Sequence, residues 1–360
     1  MKAEETWLGA NRKEPGVDKF RSLPGLEKAI ASNPAYQTLE AVYSKNIASP
    51  VAADKSTSEK YTEVLALVHD ILYNKLRVEA PTTVRDLPFT TLFSAAEMII
   101  LLLAKSRDVL LEVMQPVYKG DQLAAHSLNV ALLSVGVGLG MDLAYKELTE
   151  LAVAAILHDI GMTKIDALCY THERDLSSVE RDLLQQHPMA GWKFFEKLEN
   201  EFPWLLRVIC EEHLREHGGY GTKGEAGLHQ YSKIVGVVDS FEALTHTRIF
   251  RKAFHPADAM KALVEAKSSL FSREVLRAAI DTLSLFPVGS MVQLNNKKIA
   301  LVTESVFRQP LRPIVRTVES ASHDSEIFDL SKSTNVYITG IIYSEMYQIP
   351  DKLNLTQASS

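Results

Sequence analysis

AYKELTELAVAAILHD, residues 144–159, is the stretch whose reading decides the fold. It reads as one helix that ends in a histidine and an aspartate, with Gly161 placed to stop it. Working outward, HSLNVALLSVGVGLGM (126–141) reads as the helix before it. HPMAGWKFFEKL (187–198) starts another. IVGVVDSFEALTHT (234–247) and HPADAMKALVEAKS (255–268) follow. From about Gln122 to about Thr282 helix succeeds helix with short polar breaks, and strand signals are scarce. The fold class expected is therefore mainly α.

The flanks differ from this centre. Residues 1–56 carry Pro, Gly, Ser, Asn and Lys with broken apolar periodicity, and read as a poorly structured N-terminal segment. In YTEVLALVHDILYNKL, Val64, Leu67, Val68, Ile71 and Leu72 share one helical face. Another helical run covers roughly 89–115. Residues 57–110 thus form a helical accessory region. After Phe286-Pro287-Val288-Gly289 come SMVQLNNKKIALVTES, PIVRTVES and NVYITGIIYS, short β-branched runs separated by an Asn-Asn turn and polar breaks. They predict a small antiparallel β unit over 286–345, behind a helical domain over 111–285, with 346–360 a tail.

Composition sets the broad class. The chain has 360 residues, 46% of them apolar and 23% charged, ordinary for a globular protein of about two domains. Its 39 basic and 45 acidic residues leave a net charge of −6, which gives no support for DNA or a membrane held by bulk charge. Cys169 and Cys210 form neither a CxxC motif nor a disulfide framework. The start, MKAEETWLGANRKEPG, lacks the apolar region of a secretory signal, and the apolar stretch Met98–Ala104 is too short to cross a bilayer. A cytoplasmic setting is the expectation.

Histidines and acids gather in five short stretches: His126, His158-Asp159, His187, Glu212-His213 and Asp239. Each lies on or at the end of a predicted helix. Helices that project imidazole and carboxylate onto one point are how bundles build metal sites. That donor set suits Mn, Fe or Zn, and two such ions can share a bridging carboxylate, here Asp159. A His-Asp pair alone is common, and His187-Pro188 alone marks a helix start. The order and spacing of the set make it informative. Asp239 adds weight, because a carboxylate in an apolar run needs a partner or a metal.

In that order the motifs resemble the HD-GYP family, a branch of the HD phosphohydrolases that hydrolyses cyclic di-GMP. The family pattern is an early helical His, then HDIGK, HPxxG, HHExxDGxGYP and DxFDALTxxRxYR. The matching residues are His126, His158-Asp159-Ile160-Gly161, His187-Pro188-Met189-Ala190-Gly191, Glu212-His213 leading to Gly218-Gly219-Tyr220-Gly221, and Asp239-Ser240-Phe241-Glu242-Ala243-Leu244-Thr245 with Arg248 and Arg251. FPVG (286–289) and PLRPIVR (310–316) resemble the family's C-terminal β segment, so the likeness runs from about 110 to 345. It implies an HD-type helical bundle with a small C-terminal β unit; the part before about residue 110 carries no such likeness and reads as a helical N-terminal accessory domain. The implied metal ligands are His126, His158, Asp159, His187, Glu212, His213 and Asp239, holding two divalent ions, Fe or Mn. Asp159 and Lys164 are the implied catalytic residues, and Arg248, Arg251, Met162 and Tyr220 the substrate contacts. The implied reaction is hydrolysis of cyclic di-GMP to pGpG, with diguanylate cyclases among implied partners and homodimerisation left open.

The chain departs from the family at several points. Met162 stands where the family keeps the lysine beside the substrate phosphate, and Lys164 is the nearest cation in sequence. Glu212 replaces the first His of the HH pair, on an alignment that drops one residue before the GYP part; without the gap Glu211-Glu212 would take those places. His217-Gly218 replaces Asp-Gly, Gly221 replaces Pro, and Glu242 replaces the second Asp of DxFDAL. Gln122 stands where three-metal members carry Glu, which favours two ions. These changes leave a second reading, a degenerate domain that binds cyclic di-GMP or a protein without turnover, and a third, HD chemistry on another phosphoester.

Overall fold

The computed structural model describes residues 56–76, 81, 86–105, 109–118, 120–165, 177–213, 227–247, 251–266, 270–318, 326–343 and 347–348. Tyr220, Arg248, the GYP-like loop at 218–221 and nearly all of the N-terminal segment and tail lie outside those residues.

The helical part begins with α1 (Thr57–Asp70), which runs into a π-helical turn, Ile71–Lys75. α2 (Phe89–Lys105) and α3 (Val109–Val113) follow. The bundle proper consists of α4 (Gln122–Gly140), α5 (Tyr145–Leu157), a 3-10 turn (Ile160–Lys164), α6 (Ser178–Leu184), α7 (His187–Phe195), α8 (Pro203–Glu211), α9 (Gln230–Thr245), α10 (Pro256–Glu265) and α11 (Arg273–Leu283).

α4 is the axis of this arrangement. Sixteen consecutive residues, Leu123 to Gly138, are buried. A helix apolar on all sides has to be wrapped by other helices or by lipid. By length and composition α4 could cross a bilayer, but 83% of its most apolar window is buried inside the bundle, so the surrounding helices account for its apolarity. Asp121 caps it, accepting from the Ala124 N–H at 2.8 Å. Burying each of Leu128, Leu132 and Leu133 on this helix contributes about 1.5–3 kcal/mol.

Tyr61, Val64 and Val68 of α1 and Ile99 and Ile100 of α2 belong to the same continuous core as α4 and α5. The N-terminal helices therefore complete the bundle's core; they do not enclose a separate one.

After α11 the chain forms a five-stranded antiparallel sheet in the order β5-β4-β3-β2-β6, with β2 Met291–Leu294, β3 Ile299–Glu304, β4 Ile314–Thr317, β5 Ile327–Asp329 and β6 Ile338–Ile341. Along β2, Val292 and Leu294 point inward while Met291 and Gln293 point outward, the period-two pattern of a strand with one buried face. Val292, Leu294, Ala300, Val302, Val315 and Leu330 make a small core of their own. One pairing lay outside the sequence expectation: β1 (Ala253–Phe254) pairs in parallel with β7 (Tyr347–Gln348), so part of the segment read as a tail returns to the helical domain. The sheet is tied to α11 by Ser305 Oγ donating to the Thr282 carbonyl at 2.8 Å and by the Arg308 N–H donating to the Asp281 carbonyl.

Candidate metal centre

Five elements bring their ends or faces to one point. His126 comes from the first turns of α4, His158 and Asp159 from the end of α5, His187 from the first residue of α7, Glu212 and His213 from just past α8, and Asp239 from the middle of α9. The sequence reading has Gly161 ending α5. In the structure α5 stops at Leu157, and Gly161 sits inside the 3-10 turn with a different task. A Cβ on Gly161 would lie 1.9 Å from the His187 carbonyl oxygen and 2.8 Å from the Gly191 nitrogen. Only glycine lets α7 approach this closely, and that approach carries His187 to Asp159.

Asp159 is central. Its Oδ1 lies 3.2 Å from His187 Nε2 and 3.3 Å from His213 Nε2, while its Oδ2 lies 3.6 Å from both His126 Nε2 and His158 Nε2. The two oxygens of one carboxylate thus face two different pairs of imidazoles. Asp239 Oδ1 stands 3.2 Å from His126 Nε2 and 3.9 Å from His158 Nε2. Glu212 contacts His213. Ligand atoms within 4.8 Å of one another form the sets His126-His158-Asp159, Asp159-His187-His213 and Glu212-His213-Asp239. Glu211 is turned away: it accepts from Arg207 Nε at 2.9 Å, from Ser232 Oγ at 3.1 Å and from the His229 N–H at 3.0 Å.

The donor chemistry fits a cation. His158 Nδ1 lies 2.7 Å from the Ala155 carbonyl, and His187 Nδ1 2.6 Å from the Leu184 carbonyl. A carbonyl only accepts, so each Nδ1 carries a proton and Nε2 is left as the atom available to a metal. His126 Nδ1 is likewise tied to Glu242 at 2.6 Å. Imidazoles fixed through Nδ1 by an acceptor are what metal centres use to orient Nε2. His158 Nε2 is buried without a hydrogen-bond partner, and His187 and His213 set Nε2 against Nε2 at 2.8 Å. Both features ask for a cation among these atoms.

The electrostatics agree. Burial opposes charge on His126, but the carboxylates of Glu242 and Asp239 outweigh it and raise its pKa to about 10. Burial likewise opposes charge on Asp159, yet His158 and His187 hold its carboxyl well below the usual range. A pocket this rich in carboxylate favours positive charge of any kind. Among the ligand candidates Asp159 and His187 are the least covered, each side chain 13% exposed, so they form the open side of the centre.

Other expected site residues lie elsewhere or are engaged elsewhere. Lys164 donates to the Leu76 carbonyl at 3.2 Å and lies over the Phe194 ring at 4.2 Å, tying the 3-10 turn to the N-terminal helices. Its sequence position suggests a phosphate contact; in the structure it engages a carbonyl and a ring. Arg251 donates to the carbonyls of Ala243, Leu244 and Lys252 and stacks on Phe254. It satisfies the open C-terminal carbonyls of α9, a use no charge pattern reveals. Met162 is half-buried and packs against the core.

A family model of the HD domain matches residues 112–275, and one of a KOW domain associated with the HD domain matches 291–349. The cyclic di-GMP phosphodiesterase PA4108 of Pseudomonas aeruginosa is 26% identical over 199 residues, covering 54% of this chain and 48% of its own. The cyclic di-GMP phosphodiesterase PdeB of Borreliella burgdorferi is 24% identical over 195 residues, covering 54% and 51%. These matches place an HD domain over residues 112–275 and support membership of the HD-GYP family. It spans about half the length of the curated relatives it matches. The solved structure of Bd1817, an HDG"Y"P protein from Bdellovibrio bacteriovorus, aligns over 72% of the chain and 80% of its own at 15% identity and a TM-score of 0.49.

In this HD-domain chain, sequence reasoning overlooked the residues behind the ligands. Glu242 is fully buried and accepts from His126 Nδ1, from Asn129 Nδ2 at 3.0 Å and from Tyr118 Oη at 3.1 Å. The available signal was spacing. Asn129 lies three residues after His126 and Glu242 three after Asp239, each one turn along the same helix face.

Proposed function

We propose that this chain is a metal-dependent phosphodiesterase that opens cyclic di-GMP to pGpG, and that His126, His158, Asp159, His187, Glu212, His213 and Asp239 would hold its two divalent ions. The observation that carries the reading is the split of Asp159, one oxygen toward His126 and His158, the other toward His187 and His213. Asp239 joins the first group and Glu212 the second. The names of the relatives support cyclic di-GMP as the nucleotide. Two divalent ions, Fe or Mn, would supply an activated water and charge neutralisation at the phosphate.

The chain's own residues set the stage. Backbone carbonyls orient His158 and His187 through their Nδ1–H groups, so Nε2 of each faces the centre without rearrangement. Asp159 stays ionised and keeps both oxygens available. The phosphodiester enters past Asp159 and His187, the least covered of these side chains.

A second reading, nucleotide binding without turnover, is favoured by Met162, which offers no charge beside Asp159, and by the contacts that occupy Lys164 and Arg251. The two separate in one experiment. Purified chain loaded with Mn2+ or Fe2+ is incubated with cyclic di-GMP and the products are resolved by ion-pair chromatography. Appearance of pGpG is the expected result. Intact cyclic di-GMP, bound by metal-loaded protein, would leave the second reading.

A further inference from the structure

The HD domain match begins at residue 112, yet a hydrogen-bonded line starts in α1, far before it, and ends on a metal-ligand histidine. Tyr61 Oη donates to Asn129 Oδ1 at 2.8 Å. Asn129 Nδ2 reaches Glu242 Oε1 at 3.0 Å and His246 Nε2 at 3.2 Å. Glu242 Oε2 then accepts from His126 Nδ1 at 2.6 Å. Tyr61, Asn129, Glu242, His246 and His126 are each no more than 3% exposed.

Direction along this line is fixed by chemistry. A carboxylate only accepts, so Asn129 must turn its NH2 toward Glu242 and its oxygen toward α1. The phenol of Tyr61 donates to that oxygen and so locks the amide. Without the phenol hydroxyl, the amide oxygen loses this buried donor and Asn129 is held only through its NH2 group, at Glu242 and His246. Glu242 would then be less firmly held under His126, whose Nδ1–H depends on it.

We propose that α1 is a working part of the metal centre: Tyr61 is a positioning residue that acts through Asn129 and Glu242 to hold His126 with Nε2 facing the ion. The inference rests on the metal-centre reading above and extends it to a helix outside the HD match. Removing a residue that supports a ligating histidine costs about 10–100-fold in metal affinity. Tyr61 acts two bonds further back, and the loss of one buried hydrogen bond corresponds to about threefold to tenfold.

The test is Mn2+ affinity by isothermal titration on the full chain, with thermal unfolding of the metal-free protein measured in parallel. Tyr61→Phe should weaken Mn2+ binding about threefold to tenfold, and Glu242→Gln about 10–100-fold. The double variant should bind no more weakly than Glu242→Gln alone, because both changes cut one line. Val64→Ala is the packing control. Val64 is fully buried on the same helix, so its truncation lowers the melting temperature while leaving Mn2+ affinity within about twofold. Tyr61→Phe binding Mn2+ as tightly as wild type would overturn the proposal. So would Val64→Ala weakening binding as much as Tyr61→Phe, since packing would then be the cause. Wild-type protein that takes up no Mn2+ would overturn the metal-centre reading itself, and this inference with it.

Discussion

Replacing Gly161 with alanine adds one methyl group where the structure has no room for it. That carbon would sit 1.9 Å from the carbonyl oxygen of His187 and 2.8 Å from the backbone nitrogen of Gly191. Ordinary contact is at about 3.5 Å, so the start of α7 has to move by about 1.5 Å. The obstacle is backbone on both sides, and no flexible side chain can swing aside. Gly191 in turn is packed against Ile209 and Ile160, which resists the movement. Metal–ligand distances tolerate about 0.2 Å, so the displacement removes His187 from the set facing Asp159 Oδ1. Overpacking adds a stability loss of about 1–3 kcal/mol. Two assays check this on the Gly161→Ala chain: metal-free thermal unfolding, and Mn2+ stoichiometry after reconstitution. The expected result is a lower melting temperature and loss of bound metal together. Wild-type melting with full metal would refute the argument that Gly161 exists for close approach.

Three further outcomes follow from the same geometry. Asp159→Asn should abolish metal retention and turnover, and the metal-free protein should melt below the wild-type temperature, because His158 and His187 lose the buried carboxylate they hold ionised; elemental analysis and calorimetry read both. Arg251→Ala should cost about 1.5–3 kcal/mol of stability, measured by urea unfolding, since its charged hydrogen bonds close the end of α9; KM for cyclic di-GMP should stay within about twofold, and a large rise would instead assign it to the nucleotide. His255 is fully buried where α10 meets the sheet, its Nδ1 accepting from the Ala257 N–H, and burial pushes its pKa down from 6.5 to about 4. The folded state therefore binds fewer protons than the unfolded one between those values. Stability is complete above about pH 6.5 and falls by about 3 kcal/mol as the pH drops to about 4; His255→Gln should flatten that part of the pH–stability curve.

How much of this was legible in the sequence depends on what kind of partner each residue has. The grouping of His126, His158, Asp159, His187, His213 and Asp239 was legible from their order and spacing along predicted helices, although each piece alone is weak. The helical centre and the β unit were legible because α-type and strand-type periodicities are local. Lys164 was read as a catalytic residue and Arg251 as a dinucleotide contact because sequence shows a charge but not its partner. In the structure they donate to the backbone carbonyls of Leu76 and Ala243, which leave no mark on residue type. Glu242 passed as a mild variant of aspartate, although its position one turn beyond Asp239 places it behind His126. Tyr61 could not be linked to the site at all, since 68 residues separate it from Asn129. The parallel pairing of Ala253–Phe254 with Tyr347–Gln348 was invisible for the same reason.

The measurement that bears most directly on the central claim is the number of divalent ions retained per chain after anaerobic reconstitution with Fe2+ or Mn2+ and removal of loosely held metal. With one oxygen of Asp159 facing each pair of imidazoles, the account predicts about two ions per chain. A folded chain that retains none would contradict it.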